Sequence, residues 1–225
     1  PISATAQAAV TVAHDASADW DTKDVNDIDN VIIRNDATVT LGEFVEPDLI
    51  VNGSFEAPNT GSFSQLAPGN TSLTGWAIAD AGQTASAGGV AVVDNFDSSV
   101  ASEGDQFLQL QHSSGDAGII SQTFATEVGA TYQLDFDYSA LDFGIHNLTI
   151  TYDVGGPDQT VAINSVDGQL AWATETLQFQ ATAATTTLSF KGEFFSGFWG
   201  ASIDNVRVVK VPAPELITNG SFETP

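Results

Sequence analysis

The chain has 225 residues, 42% of them hydrophobic, so it can bury the core of one large all-β domain or of two small ones. Twenty-nine acidic residues stand against five basic ones, and the net charge of −24 argues against nucleic acid and anionic membrane surfaces as partners. Cys is absent, which excludes disulfides and thiol chemistry, and no apolar run approaches the ~18 residues of a membrane span.

Residues 1–47 are predicted to form an acidic N-terminal extension with nine acids and two basic residues. The segment DIDNVII at 27–33 shares Ile-Asp-Asn-Val with SIDNVRV at 202–208. The extension is therefore either the last strand of a preceding unit or a solenoid-like rung, unless the four shared residues recur by chance. Its closely spaced aspartates either bind further calcium or form a solvated acidic segment.

Residues 48–211 are predicted to form the main domain, because short alternating runs there are bounded by Gly, Pro, Asn and Asp. In the run TYQLDFDY, Tyr132, Leu134, Phe136 and Tyr138 share one face, which indicates a half-buried strand. Tight turns between neighbouring strands are predicted at 127–131 and 154–159. The pattern favours an all-β fold, an antiparallel β-sandwich. Its clearest strands are predicted at 118–126, 131–140, 146–154, 174–182, 185–194 and 202–211.

A ten-residue phrase occurs twice, as LIVNGSFEAP at Leu49–Pro58 and as LITNGSFETP at Leu216–Pro225. Eight positions match at an offset of 167 residues, which is the length of a domain and not of a solenoid rung. Residues 212–225 are therefore expected to be a Pro-spaced linker and the first strand of a next unit. We expect strand donation to an adjacent copy, conceivably with Asp29 of that copy beside the donated glutamate. The donated residues would be Leu216, Ile217, Phe222 and Glu223.

The order of motifs resembles the galactose-binding-like jelly rolls of bacterial surface and plant cell-wall proteins, which are similar to carbohydrate-binding modules of family 4 type. The motifs are NGSFE, TGW at 74–76, EGDQFLQL at 103–110, GIISQTF at 118–124, GATYQLDFDYSA at 129–140 and SIDNVRV at 202–208. The resemblance covers roughly residues 48–211. It implies a jelly roll in which the first and last strands are adjacent, usually with a structural Ca²⁺ between them.

The resemblance implies that Glu56 and Asp204 bind this ion, with Asn52 and Glu103 as weaker candidates. Ca²⁺ takes about six to eight oxygen ligands, and a cation would turn the repulsion between two carboxylates into attraction. The alternative is that Glu56 caps a turn and that Asp204 accepts backbone hydrogen bonds.

Exposed aromatic side chains are the expected contacts for a saccharide or for another subunit, and the candidates are Trp76, Trp172, Phe198 and Trp199. The alternative for each of them is packing in the core. No nucleophile elbow, phosphate loop or dinucleotide motif occurs, and no carboxylate pair stands out for glycoside cleavage, so an enzyme is not expected.

We therefore expect a non-catalytic, secreted, calcium-stabilised module at the cell surface. It would be the repeating block of an extracellular filament, sheath or large adhesin, with copies of itself as partners. The alternative is a carbohydrate-binding module of a larger secreted protein, with a polysaccharide as partner. The lack of Met at position 1 and the bias towards Thr, Ala, Ser, Gly and Asp agree with a processed, secreted chain.

Overall fold

The residues described by the computed structural model are 46–82, 88–95, 100–111, 117–142, 147–164, 166–167, 170–193 and 200–212, together with two short strands at 10–12 and 39–41. The chain divides into two compact units, Pro1–Glu46 and Pro47–Pro225. In the first unit, β1 (Val10–Val12) pairs antiparallel with β2 (Val39–Leu41). The predictions made for 27–33 lie outside the described residues. No helix in the described part of the chain is long and apolar enough to cross a membrane.

The described strands of the second unit are β3 (Ser64–Leu66), β4 (Ala77–Asp80), β5 (Val90–Asp94), β6 (Gln106–Gln109), β7 (Gly118–Ala125), β8 (Thr131–Asp142), β9 (Asn147–Asp153), β10 (Gln159–Asn164), β11 (Val166–Asp167), β12 (Ala173–Gln180), β13 (Thr185–Gly192) and β14 (Ala201–Lys210). They form a five-stranded sheet in the order β10-β9-β13-β7-β4. The seven-stranded sheet has the order β11-β8-β14-β6-β5-β3, and β12 also pairs with β8. Between the described strands of this unit, pairing is antiparallel except between β11 and β8.

The two sheets pack against each other around one hydrophobic core, which confirms the β-sandwich. Phe136 of β8 joins the sheets, since its ring centroid lies 4.9 Å from that of Phe190 on β13 and 5.1 Å from that of Tyr152 on β9. Edge-to-face pairs of this kind add about 0.5–1.5 kcal/mol beyond area burial. As predicted, Tyr132 and Leu134 lie on the same core-facing side of β8 as Phe136, and all three are at most 3% exposed.

Six of the described strands were predicted, whereas β10, although its burial alternates, and the strands buried on both faces were not. The bounds of β7, β8, β9, β12, β13 and β14 lie within two residues of the predicted ones. The side chains of β6 and most of β5 are buried on both faces, so these strands lack the alternation on which such predictions depend.

One predicted turn has a different role in the structure. A tight turn is present at 127–130, where the N–H of Ala130 donates to the carbonyl oxygen of Glu127 at 3.0 Å, but it joins β7 of the five-stranded sheet to β8 of the seven-stranded sheet and not two paired strands. The turn at 154–159 does join two paired strands, β9 and β10.

Candidate functional site

The opening and closing segments of the second unit both hold the loop that precedes β6. Glu56 Oε1 accepts hydrogen bonds from the backbone N–H groups of Asp105 and of the residue after it, each at 2.7 Å. Asp204 on β14 accepts the backbone N–H groups of Ser102 and Glu103 through Oδ2, at 2.8 and 2.9 Å. Two carboxylates from the two ends of the domain thus fix the 102–106 loop.

Asp204 is an acid with no exposed surface. Burial raises its pKa to about 7, even though three backbone N–H groups, including that of Asn205 at 2.8 Å from Oδ1, favour the charged form. Asp204 faces Asp137 across the pairing of β14 with β8. Asp137 accepts the hydroxyl groups of Ser102 and Thr174, each at 2.6 Å. Both carboxylates are therefore held by N–H and O–H donors.

Three of the four residues predicted to bind calcium accept hydrogen bonds through oxygens that the ion would need. Both oxygens of Asp204 and Oε1 of Glu56 face N–H hydrogens, which carry partial positive charge. Asn52 Oδ1 accepts a backbone N–H at 2.9 Å, its carbonyl oxygen accepts the indole N–H of Trp76 at 3.0 Å, and Glu103 contributes its own backbone N–H. The described residues contain no group of three or more His, Cys, Asp or Glu side chains suited to a metal ion. These contacts match the turn-capping alternative, and calcium binding stays a prediction.

The outer face of the seven-stranded sheet, which points away from the core, carries a row of small and polar side chains. Strand register places side by side Gln65 of β3, Ala91 of β5, Gln109 of β6, Ser202 of β14 and Ser139 of β8. This polar row crosses five strands and is about 19 Å long at the usual strand spacing. All of its members except Gln65 are at most 1% exposed, so their polar atoms require hydrogen-bond partners.

Two glutamines at the ends of β6 have opposite surroundings, although neither has exposed surface. Gln106 Nε2 donates to the carbonyl oxygens of Phe55 and Pro58 at 2.9 and 3.0 Å. Its Oε1 accepts the backbone N–H and the hydroxyl of Thr60 at 2.7 and 2.8 Å. Among the described residues, neither Nε2 nor Oε1 of Gln109 has a hydrogen-bond partner. A buried donor or acceptor left in this state costs roughly 1–3 kcal/mol.

A second hydrophobic cluster lies on the same outer face, formed by Ala91, Val93, Ala101 and Phe107. Trp172 packs against it edge-on, with its ring centroid 5.6 Å from that of Phe107. The indole N–H of Trp172 donates to the carbonyl oxygen of Val100 at 2.8 Å. Because Trp172 is only half-buried, the outer face combines an accessible aromatic ring with the polar row.

The other aromatic candidates have different outcomes. Trp76 is 4% exposed, and its ring centroid lies 5.6 Å from that of Phe55 and 6.3 Å from that of Phe190. The prediction that Trp76 contacts a saccharide or a subunit is therefore wrong, because the ring is part of the core. The predictions that lie outside the described residues are those for Phe198, Trp199, Leu216, Ile217, Phe222 and Glu223.

Comparison with known proteins identifies the family. Residues 48–210 match the family model described as "Protein of unknown function (DUF642)". The chain belongs to the DUF642 family. No curated protein matches the sequence.

Solved structures similar to this DUF642 domain include carbohydrate-binding modules and an adhesin domain. A CBM61 module in complex with β-1,4-galactotriose is 19% identical, over 73% of this chain and 99% of that chain, with a TM-score of 0.48. A CBM4 module is 18% identical, over 72% and 99%, with a TM-score of 0.40. The K1 cleaved adhesin domain of Lys-gingipain from Porphyromonas gingivalis W83 is 14% identical, over 68% and 100%, with a TM-score of 0.46. The predicted resemblance to jelly rolls is confirmed as a likeness of fold, because the described strands form the expected two-sheet sandwich.

Several residues of the outer face of the DUF642 domain are not among those that the sequence predicts for a site. They are Gln109, Asp137, Ser139 and Ser202. The only sequence signal is the run QFLQLQ at 106–111, in which an amide recurs among large apolar residues. Sequence pattern alone does not show which of these amides finds a partner.

Proposed function

We propose that this DUF642 domain is a non-catalytic, extracellular carbohydrate-binding module whose ligand contacts the polar row and Trp172. The observation that carries the proposal is the buried amide of Gln109, which has no hydrogen-bond partner. A sugar hydroxyl both donates and accepts, so adjacent hydroxyls can satisfy Nε2 and Oε1 together. The neighbours of Gln109 in the row, Ala91 and Ser202, have small side chains that do not hydrogen-bond its amide, so the amide is left for a ligand that reaches the row.

Trp172 supports the proposal because ligand sites combine apolar walls with a few placed polar groups. Its half-buried ring lies beside Phe107, which is separated from Gln109 by one residue of β6 and points to the same face. The C–H face of a sugar ring can pack on the indole while its hydroxyl groups reach the row.

The charge of this face favours a neutral ligand. Asp137 and Asp204 lie on the same face, two residues along their strands from Ser139 and Ser202. The whole chain carries a net charge of −24. An acidic polysaccharide would be repelled by both, so we expect a neutral one.

Access to the row requires movement, because Gln109 has no exposed surface. A ligand reaches its amide only after the atoms above it have shifted, so we expect association slower than the typical 10⁵–10⁷ M⁻¹s⁻¹, roughly, of interactions without such a step. The alternative partner for the amide is a buried water molecule. If a glycan is the partner, removal of the Gln109 amide weakens glycan binding; if a water molecule is the partner, glycan binding is unchanged.

The experiment is a glycan array probed with the full chain, with neutral and acidic polysaccharides side by side. We expect binding to a neutral glycan, and loss of that binding in Gln109→Leu and in Trp172→Ala. Gln178→Leu is the matched control, since Gln178 is an exposed amide of β12 whose register partner is Gln133, outside the polar row. No binding to any glycan, or equal binding by Gln109→Leu and wild type, would refute the proposal.

The calcium-stabilised filament subunit stays a prediction. The residues expected to donate a strand lie outside the described part of the chain, and the contacts of Glu56 and Asp204 are accounted for without an ion.

A further inference from the structure

The opening segment, Leu49–Pro58, is fixed in the domain partly by its apolar side chains. Ile50 is 7% exposed and Phe55 is fully buried, with its ring centroid 5.6 Å from that of Trp76. The carbonyl oxygen of Phe55 accepts the side-chain amide of Gln106 at 2.9 Å. Phe55 is therefore the main apolar anchor of the segment.

Polar side chains of the opening segment have equally specific partners. Asn52 folds the segment on itself, since Nδ2 donates to the carbonyl oxygen of Ala57 at 2.7 Å and Oδ1 accepts the N–H of Ala57 at 2.9 Å. Nδ2 also donates to the carbonyl oxygen of Thr74 at 3.1 Å. Glu56 holds the 102–106 loop through the two backbone N–H groups described above.

Gly53 is needed because the segment passes directly over β14. The N–H of Val206 donates to the carbonyl oxygen of Gly53 at 3.0 Å. A Cβ atom on Gly53 would overlap the carbonyl oxygen of Val206, so no larger residue fits without a shift of the backbone. We call the surface that receives the segment the opening seat, formed by Trp76, Asp105, Gln106, Gln122 and Val206.

The second copy of the phrase, at 216–225, retains every side chain that makes these contacts. It differs only where Val51 and Ala57 are replaced by Thr218 and Thr224. Val51 is 55% exposed, and its hydrogen bonds to Gln122 use its backbone alone. Ala57 likewise contributes its backbone N–H and carbonyl to the hydrogen bonds of Asn52. Neither substitution therefore removes a contact by which the segment binds the opening seat.

We propose that residues 216–225 are a second opening segment, which binds the opening seat of a second copy of this domain when that copy's own opening segment is displaced. The partner is thus another copy of the same chain, recognised by the buried phenylalanine, the glutamate on the loop and the glycine over β14. This exchange is independent of glycan binding, because the opening seat shares no residue with the polar row.

Competition decides when the exchange occurs. A copy's own opening segment is covalently attached, and attachment gives it an effective concentration of up to about millimolar. The segment 216–225 of another chain therefore enters the seat when the resident segment is weakened. Truncation of the resident Phe55 to alanine should weaken the binding of the resident segment to the seat, relative to that of residues 216–225, by at least about a hundredfold, as expected for a fully buried phenylalanine.

The test uses the full chain with Phe55→Ala and Phe222→Ala together, so that both of its own segments are weak. A fluorescein-labelled peptide of residues 214–225 is added, and binding is followed by anisotropy and by the thermal unfolding midpoint. We expect saturable binding and a raised midpoint. The same peptide with Phe222→Ala should bind at least about a hundredfold more weakly. Wild-type chain, whose seat is filled, should bind neither peptide.

Equal binding of the two peptides, or no binding of the peptide that contains phenylalanine, would overturn the proposal. If the double variant does not fold alone, recovery of its β-sheet circular dichroism by that peptide replaces the anisotropy readout. Phe55→Leu with Phe222→Leu provides a second, milder receptor, and failure in both receptors counts against the exchange. In sedimentation velocity, Phe55→Ala alone should form dimers or larger species, whereas the double variant should not.

Discussion

Replacement of Gln109 by leucine should stabilise the protein while abolishing its proposed function. Leucine has a similar size, and the outer face at this point already holds Ala91 and Phe107. The substitution removes a buried donor and a buried acceptor that have no partner, each of which costs roughly 1–3 kcal/mol. We expect a net gain of about 2 kcal/mol in the free energy of unfolding, because leucine adds apolar burial but does not fit the site perfectly.

Gln106→Leu is the matched control, since Gln106 lies on the same strand and is equally buried. Its amide makes four hydrogen bonds, so leucine there leaves the carbonyl oxygens of Phe55 and Pro58 and the N–H of Thr60 without that partner. We expect a loss of about 3 kcal/mol. One chemical change on one strand should therefore have opposite effects at its two ends.

Thermal unfolding followed by circular dichroism is the assay, with urea unfolding as a check that the m-value is unchanged. For a chain of this size 1 kcal/mol corresponds to about 2–4 °C in Tm. We expect Gln109→Leu to melt about 4–8 °C above wild type and Gln106→Leu about 6–12 °C below it. A Gln109→Leu variant that melts as far below wild type as Gln106→Leu would show that Gln109 has partners after all, and would refute the reasoning.

Three further predictions concern the opening and closing segments. Asp204 has a raised pKa of about 7, against 3.8 for the free side chain, so at pH values between the two the native state binds more protons than the unfolded state. Protonated Asp204 therefore contributes about 4 kcal/mol to the free energy of unfolding below about pH 4, and this contribution is lost as the pH rises through 7. In urea unfolding across this range, the free energy of unfolding of Asp204→Asn should depend less on pH than that of wild type. An identical pH dependence would contradict the raised pKa of Asp204. The predicted calcium ion should raise the Tm in millimolar CaCl₂ above that in EDTA, and Glu56→Gln should remove the rise, which would amount to about 2.7 kcal/mol at a hundredfold excess over Kd. Equal Tm values in the two buffers would mean that Glu56 only accepts backbone hydrogen bonds. Gly53→Ala should destabilise the chain by about 1–3 kcal/mol or more because its Cβ meets the backbone of β14. Gly156→Ala, where the added atom meets open space, is the control, and equal Tm values for the two variants would count against the seat.

Much of the fold could be predicted from the sequence because alternation reports a sheet with one covered face. The strand β8 shows this, with Leu134 and Phe136 inward and Asp135 outward. The strand β5 could not be found in the same way, since both of its faces are buried and its sequence VAVVD does not alternate. Trp76 was ambiguous for a related reason, because an aromatic residue near a turn suits the core and a ligand site equally.

The meeting of the opening and closing segments was predictable from the sequence, but the polar row was not. The motifs around Glu56 and Asp204 correctly indicated that the two ends of the domain meet. The sequence could not show that both carboxylates would face backbone N–H groups, because the 102–106 loop aligns those groups only in the folded chain, with Gly104 at a φ of 68°. Gln109 illustrates the same limit, since burial without a partner is a property of the packed face and not of the residue.

The central claim is that a sugar hydroxyl satisfies the amide of Gln109. The most direct measurement is a titration of ¹⁵N-labelled chain with the neutral oligosaccharide that binds best on the array, observed at the side-chain NH₂ resonances of Gln109 and Gln106. We expect a saturable shift of the Gln109 pair with an unchanged Gln106 pair. A Gln109 pair that stays fixed while the saccharide binds elsewhere would contradict it.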